Sequence, residues 1–135
     1  MTVVMQKAVD LAQADTRMSR LMVALEASWD RETSADPDGW DASNPAWGQC
    51  AVTALVIQRY LGGELLRAEV GAASHYWNWL KAGQEVDLTR RQFATYTPRR
   101  TETRTRDYVL GSPDTRRRYE LLISRVKLLS GDGDV

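Results

Sequence analysis

The sequence predicts an α+β domain in which a nucleophile-bearing helix packs on a small antiparallel sheet, flanked by N- and C-terminal helices. Three observations carry this expectation. Apolar residues recur at helical spacing near both ends of the chain, a broad apolar run follows Gly48-Gln49, and short strand-like runs surround a glycine turn between them. The order reads helix, loop, helix, three-strand meander, loop, helix, and there is no internal repeat.

From Val4 to Trp29, the residues Leu11, Met18, Leu21, Met22, Leu25 and Trp29 fall on one helical face. Asp15 or Thr16 could cap a second helix, so a break near residues 13–15 stays open. Residues 31–44 are rich in Asp, Ser, Pro and Gly and read as loop, with Trp40 and Trp47 expected to pack it on the body. Gly48 to Leu61 reads as a helix, apolar on most sides and closed by Gly62-Gly63. Glu64–Val70 and Ser74–Leu80 are strand-like, Lys81-Ala82-Gly83-Gln84 is a hairpin turn, and Glu85–Leu88 returns as a third strand. Thr89 caps a short turn through Gln92-Phe93, and residues 94–106 are expected to be an extended loop. Ser112-Pro113-Asp114 opens a last helix to about Leu129, with Tyr119, Leu122, Ile123, Val126 and Leu129 on one face; Gly131 onward reads as a frayed tail.

The 135 residues suit one domain, with residues 1–30 helical, 44–93 the core and 112–129 the closing helix. No run of eighteen apolar residues occurs, and the start MTVVMQKAVD lacks a signal-peptide pattern, so a cytoplasmic protein without a membrane partner is expected. One Cys and one His exclude an internal disulfide, a multi-cysteine metal site and a centre built on several imidazoles; no cofactor is implied. Net charge is zero, yet acids prevail in residues 1–50 and bases in residues 90–127. No aromatic-interleaved RNA motif or zinc finger accompanies the arginines, which favours a solvated face paired with the acidic half over a nucleic-acid surface.

The chemistry-bearing residues are single copies. Cys50 stands where a loop enters an apolar helix, and a helix N-terminus favours the thiolate, the reactive form of the side chain. Its own N–H is then free to help hold an oxyanion. A lone helical Cys is also commonly an inert core residue, so Cys50 alone decides little. His75, in SHYWNWL, is the sole imidazole available as the base that a cysteine nucleophile needs. A turn centred on Ala82-Gly83 places residue 77 opposite 87, making His75 and Asp87 diagonal neighbours on one face. Asp87 would then orient the imidazole. Asn78 competes for that role from the opposite face, and a one-residue slip would reverse the choice. Gln49, Asn44 and the Trp47 indole are candidate oxyanion donors, although Asn44 equally suits an Asn-Pro turn. Trp47 and Trp77 would wall a substrate groove.

The block NPAWGQCAVTALVIQRYLGGELLRAEV, followed by HYWNWLKAGQEVDLTRRQF, closely resembles the YunG family of small bacterial proteins, over about residues 40–93. The order of Cys50, His75 and Asp87 is also similar to a minimal papain-like or transglutaminase-like core. In papain-like proteases a glutamine six residues before the cysteine donates to the oxyanion; here that position is Asn44, Gln49 is one residue before, and the Cys-Gly-Ser-Cys-Trp stretch is absent. The YunG resemblance implies a fold and a site but no substrate; the residues and their papain-like order point to a cysteine-dependent enzyme acting on an amide or peptide-type bond through a thioester. It would serve as an amidase-type hydrolase or a transglutaminase-like transferase on a small-molecule or peptide substrate. The alternative is a non-catalytic module that binds a protein or nucleic acid through the tryptophan groove or the basic C-terminal half.

Overall fold

The centre of the molecule is the helix that begins at Cys50, because it is buried on nearly every side. A computed structural model describes residues 3–131, and for residues 3–15 the backbone alone. Leu11 as a packing residue and the tail beyond Gly131 therefore lie outside the described residues. The helices are α1 (Val3–Ser28), α2 (Cys50–Leu61), the short α3 (Arg106–Val109) and α4 (Pro113–Ser130). The strands are β1 (Glu64–Val70), β2 (Ala73–Trp79), β3 (Glu85–Val86) and β4 (Arg99–Arg104). They form an antiparallel sheet in the order β3-β2-β1-β4.

Helix α2 explains its own apolar breadth. Val52 through Ile57 are all buried. Val52, Val56 and Ile57 pack with Leu21, Leu25 and Trp29 of the α1 segment and Leu122 and Val126 of α4. Ala54 and Leu55 turn the other way, onto Leu65 of β1 and Val109 of α3. Each such fully buried side chain contributes about 1.5–3 kcal/mol, enough to hold a helix that propensity alone would leave marginal. Asn78 fastens the sheet to it by donating from Nδ2 to the Ala54 carbonyl at 2.9 Å. No helix among the described residues is long and apolar enough to cross a membrane.

Two expectations change. Helix α1 runs unbroken through residues 13–15, so no second helix begins there. Residues 99–104 are not loop but a fourth strand, pairing Leu65 with Arg104 and Arg67 with Glu102. Its side chains are almost all exposed, so the strand has no apolar alternation to betray it. The β1 ladder holds it, helped by ion pairs of Arg99 and Arg100 with Glu69 and of Arg67 with Glu102. The third strand is also shorter than expected, leaving Asp87 just beyond it. The register is the one inferred from the turn: Asn78 faces Val86 and Trp79 faces Glu85, with Gly83 at φ +83°. The last helix starts as read, its Ser112 hydroxyl accepting from the Thr115 N–H.

The turn from α2 into β1 requires glycine. Gly63 has φ +85°, and a β-carbon there would lie 2.3 Å from the Trp79 carbonyl oxygen. Gly71, in the β1–β2 turn, has φ +61° but open space around it. Urea unfolding should therefore separate the two. Gly71→Ala should cost about 1–2 kcal/mol, the strain of the left-handed region alone. Gly63→Ala should cost clearly more, because backbone must also move; equal losses would contradict this packing.

Candidate thiol site

The loop before Cys50 is built to present that residue rather than to wander. Ala35 N–H donates to the Gly48 carbonyl at 2.8 Å, and the Ser34 hydroxyl donates to the Trp47 carbonyl at 2.8 Å. Gly48 has φ +75°, and any β-carbon would collide with the Ser34 hydroxyl. From α4, buried Arg118 donates to the Thr33 carbonyl while pairing with Asp114, and Arg125 bonds the Ser28 carbonyl and Asp30. Arginines 118 and 125 thus clamp the acidic loop, and part of the charge asymmetry resolves into internal pairing.

Cys50 is the first residue of α2 and is half-buried. Its Sγ lies 3.7 Å from the Ser74 carbonyl, in the strand that carries the histidine. The preceding Gln49 gives the helix no side-chain cap. The first-turn N–H groups of a helix have no carbonyl of their own, so this end keeps its positive potential.

His75 is 0% exposed. Its Nε2 lies 2.9 Å from both carboxylate oxygens of Asp87. An ionised carboxylate only accepts, so Nε2 carries a proton and the neutral tautomer leaves Nδ1 as the base. Nδ1 has no hydrogen bond of normal geometry. Burial alone would lower the histidine's affinity for a second proton. The Asp87 hydrogen bond and then the nearby Cys50 sulfur outweigh it, and the imidazole is pushed up to about 9. The ring stacks on Trp77 at 5.5 Å and meets the edges of Phe93 and Tyr96 at 5.0 and 5.6 Å. Tyr96 also donates its hydroxyl to Asp87 Oδ2 at 2.9 Å, and burial followed by that carboxylate raises the phenol above its ordinary range.

The other residues singled out in the sequence have different employment. Asn78 bonds the Ala54 carbonyl, so its amide does not serve His75. Gln49 is buried and donates to the Asp30 carbonyl, Asn44 to the Gln92 carbonyl, and the Trp47 indole to Asp36. Trp77 lies inward beneath His75 and is nearly fully buried, so it backs the imidazole instead of walling an open groove. Two participants, Tyr96 and Gln92, were not visible in sequence. Gln92, in a 3-10 turn (Arg90–Gln92), accepts from the Gly48 N–H through Oε1 at 3.1 Å. A polar residue beside Phe93, five positions after Asp87, was the only signal that could have pointed to it.

Comparison with known proteins places this geometry in context. A sequence model of the family described as YunG protein matches residues 17–130, a span that contains every residue named at the site. A Bacillus subtilis (strain 168) protein described as "Uncharacterized protein YunG" is 37% identical over 76 residues, 56% of this chain and 63% of its own length. The chain thus spans less than two thirds of that relative. No solved structure matches.

The buried pair makes stability depend on pH with a definite sign. The folded-state value near 9 exceeds the ordinary 6.5, so the stabilisation is complete below about 6.5 and is lost as pH rises through about 9. Chemical denaturation at pH 6.5 and 9.5 should show a loss of about 1–3 kcal/mol attributable to this site. Asp87→Asn should flatten that slope; a slope unchanged in the variant would refute the pairing.

Proposed function

The chain belongs to the YunG family, and we propose that it is a cysteine-dependent hydrolase or acyltransferase acting on an amide or related acyl bond. The observation that carries the reading is the arrangement itself: a helix-initial thiol beside an imidazole whose far nitrogen is held by a carboxylate. The order Cys50 on a helix, His75 on a strand and Asp87 after the next strand supports a papain-like core reduced to α2 and its sheet. Cys50 is the nucleophile, His75 the base and acid, and Asp87 with Tyr96 the support that fixes the ring.

The chemistry follows from the two nitrogens. Nδ1 takes the Cys50 proton, and the imidazolium is held by Asp87. The thiolate attacks the acyl carbon, a C–S bond forms, and the carbonyl electron pair moves onto oxygen. Collapse of that intermediate breaks the bond to the leaving nitrogen, which takes the proton from Nδ1, leaving a thioester on Cys50. His75 then accepts a proton from water or an amine as it attacks, and expulsion of the thiolate releases a carboxylic acid or a new amide. The proton returns from imidazolium to sulfur, so charge and atoms balance over the cycle.

The test needs no substrate. Iodoacetamide at pH 7 should alkylate Cys50 at least about tenfold faster than free cysteine, because an imidazolium neighbour sustains the thiolate. His75→Ala should bring the rate to the free-cysteine level, and Cys50→Ser should abolish labelling. The wild-type rate profile should inflect near pH 9, where His75 loses its charge. A rate no greater than that of free cysteine would sink the proposal.

A further inference from the structure

The amides that precede Cys50 each hold the loop together through a hydrogen bond of their own. Gln49, Asn44 and the Trp47 indole each already donate to a carbonyl or carboxylate. Gln92 differs from them. It is 8% exposed, and its Nε2 has no hydrogen-bond partner among the described residues. Burying an amide N–H without a partner costs on the order of 1–3 kcal/mol, so a side chain that does so unprovoked is under-employed in the resting protein. The other unpartnered amide atom beside the cysteine, Gln49 Oε1, is an acceptor and would repel a developing negative charge.

Gln92 is also held in place from three sides. Its Oε1 accepts from the Gly48 N–H at 3.1 Å, which sets the amide beside the loop two residues before the nucleophile. Its carbonyl accepts from Asn44 Nδ2 at 3.2 Å, and its own N–H donates to the Thr89 carbonyl at 3.0 Å. The same short segment carries Asp87, so one stretch of chain brings the imidazole's partner to His75 and this amide to the loop that enters α2. That end is uncapped, and its free N–H groups supply a second donor.

We propose that the Gln92 side-chain amide, with the Cys50 backbone N–H, forms the oxyanion hole of the thiol site. This rests on the acyl-transfer reading above and adds to it the residue that stabilises the tetrahedral intermediate. When the thiolate adds to a carbonyl and the electron pair moves to oxygen, Nε2–H acquires the acceptor it lacks. Collapse of the intermediate, with loss of the leaving group, frees it again. Asn44 and Gly48 are positioning residues, acting through their bonds to Gln92.

Two reagents separate this from a structural role. p-Nitrophenyl acetate acylates Cys50 through an oxyanion and expels p-nitrophenolate, whereas iodoacetamide alkylates it by displacing iodide and develops none. Gln92→Glu keeps an acceptor for the Gly48 N–H and removes the donor; Gln92→Met removes both without adding charge. Rates are compared on the alkaline plateau, where the thiolate fraction no longer differs. Acylation should fall about 10- to 100-fold in either variant while alkylation stays within about threefold of wild type. Parallel falls in both reactions, or acylation left intact, would overturn the proposal. The Met variant decides if the Glu variant fails to fold. Wild-type alkylation no faster than free cysteine would instead overturn the thiol-site reading from which the proposal starts.

Discussion

An imidazole withdrawn completely from water organises this fold. Once His75 has no solvent, the proton on Nε2 must be served by protein, and the chain after β3 is shaped by that demand. Asp87 stops the hairpin and turns its carboxylate to Nε2, Tyr96 returns to bind the same carboxylate, and Phe93 and Trp77 seal the ring. The 3-10 turn that makes this wrap possible also delivers Gln92 to Gly48. Removing the carboxylate would leave a buried polar ring uncompensated, a costlier defect than the loss of one surface ion pair.

The second organising element is the helix that carries the thiol. Because α2 is packed by helices on one side and by the sheet on the other, its N-terminus cannot shift without disturbing both clusters. Arg118 and Arg125 reach from α4 to fix the loop that feeds it. The thiol is therefore set on a closely packed element and approached by a hydrogen-bonded loop, which is what the proposed chemistry would require.

Much of this was legible in the chain. Helical periodicity and the Ser112-Pro113 signal marked the outer helices, and the single Cys and His left no competitors for their roles. The hairpin register could be read because a glycine at positive φ limits where a tight turn can centre, and Asp87 followed from it. What was not legible depends on distant partners. β4 carries Arg, Thr and Glu on both faces, so only its ladder with β1 makes it a strand. Gln92 meets Gly48 across 44 residues, and Asn44, a candidate oxyanion donor in the sequence, bonds the Gln92 carbonyl. Local propensity carries no trace of such bonds. The apolar breadth of α2 showed that it is central, but not which residue faced which cluster.

Residue 49 shows where durability and reactivity diverge. A serine or aspartate at a helix N-cap ordinarily adds about 1 kcal/mol by occupying the first-turn N–H groups. Gln49 instead sends its amide backward to Asp30 and leaves those groups unoccupied. An engineer choosing the standard stabilising substitution here would place an acceptor at the proposed oxyanion hole. Under the proposed chemistry the sturdier protein would carry a built-in inhibitor, with its own side chain occupying the seat of the transition state.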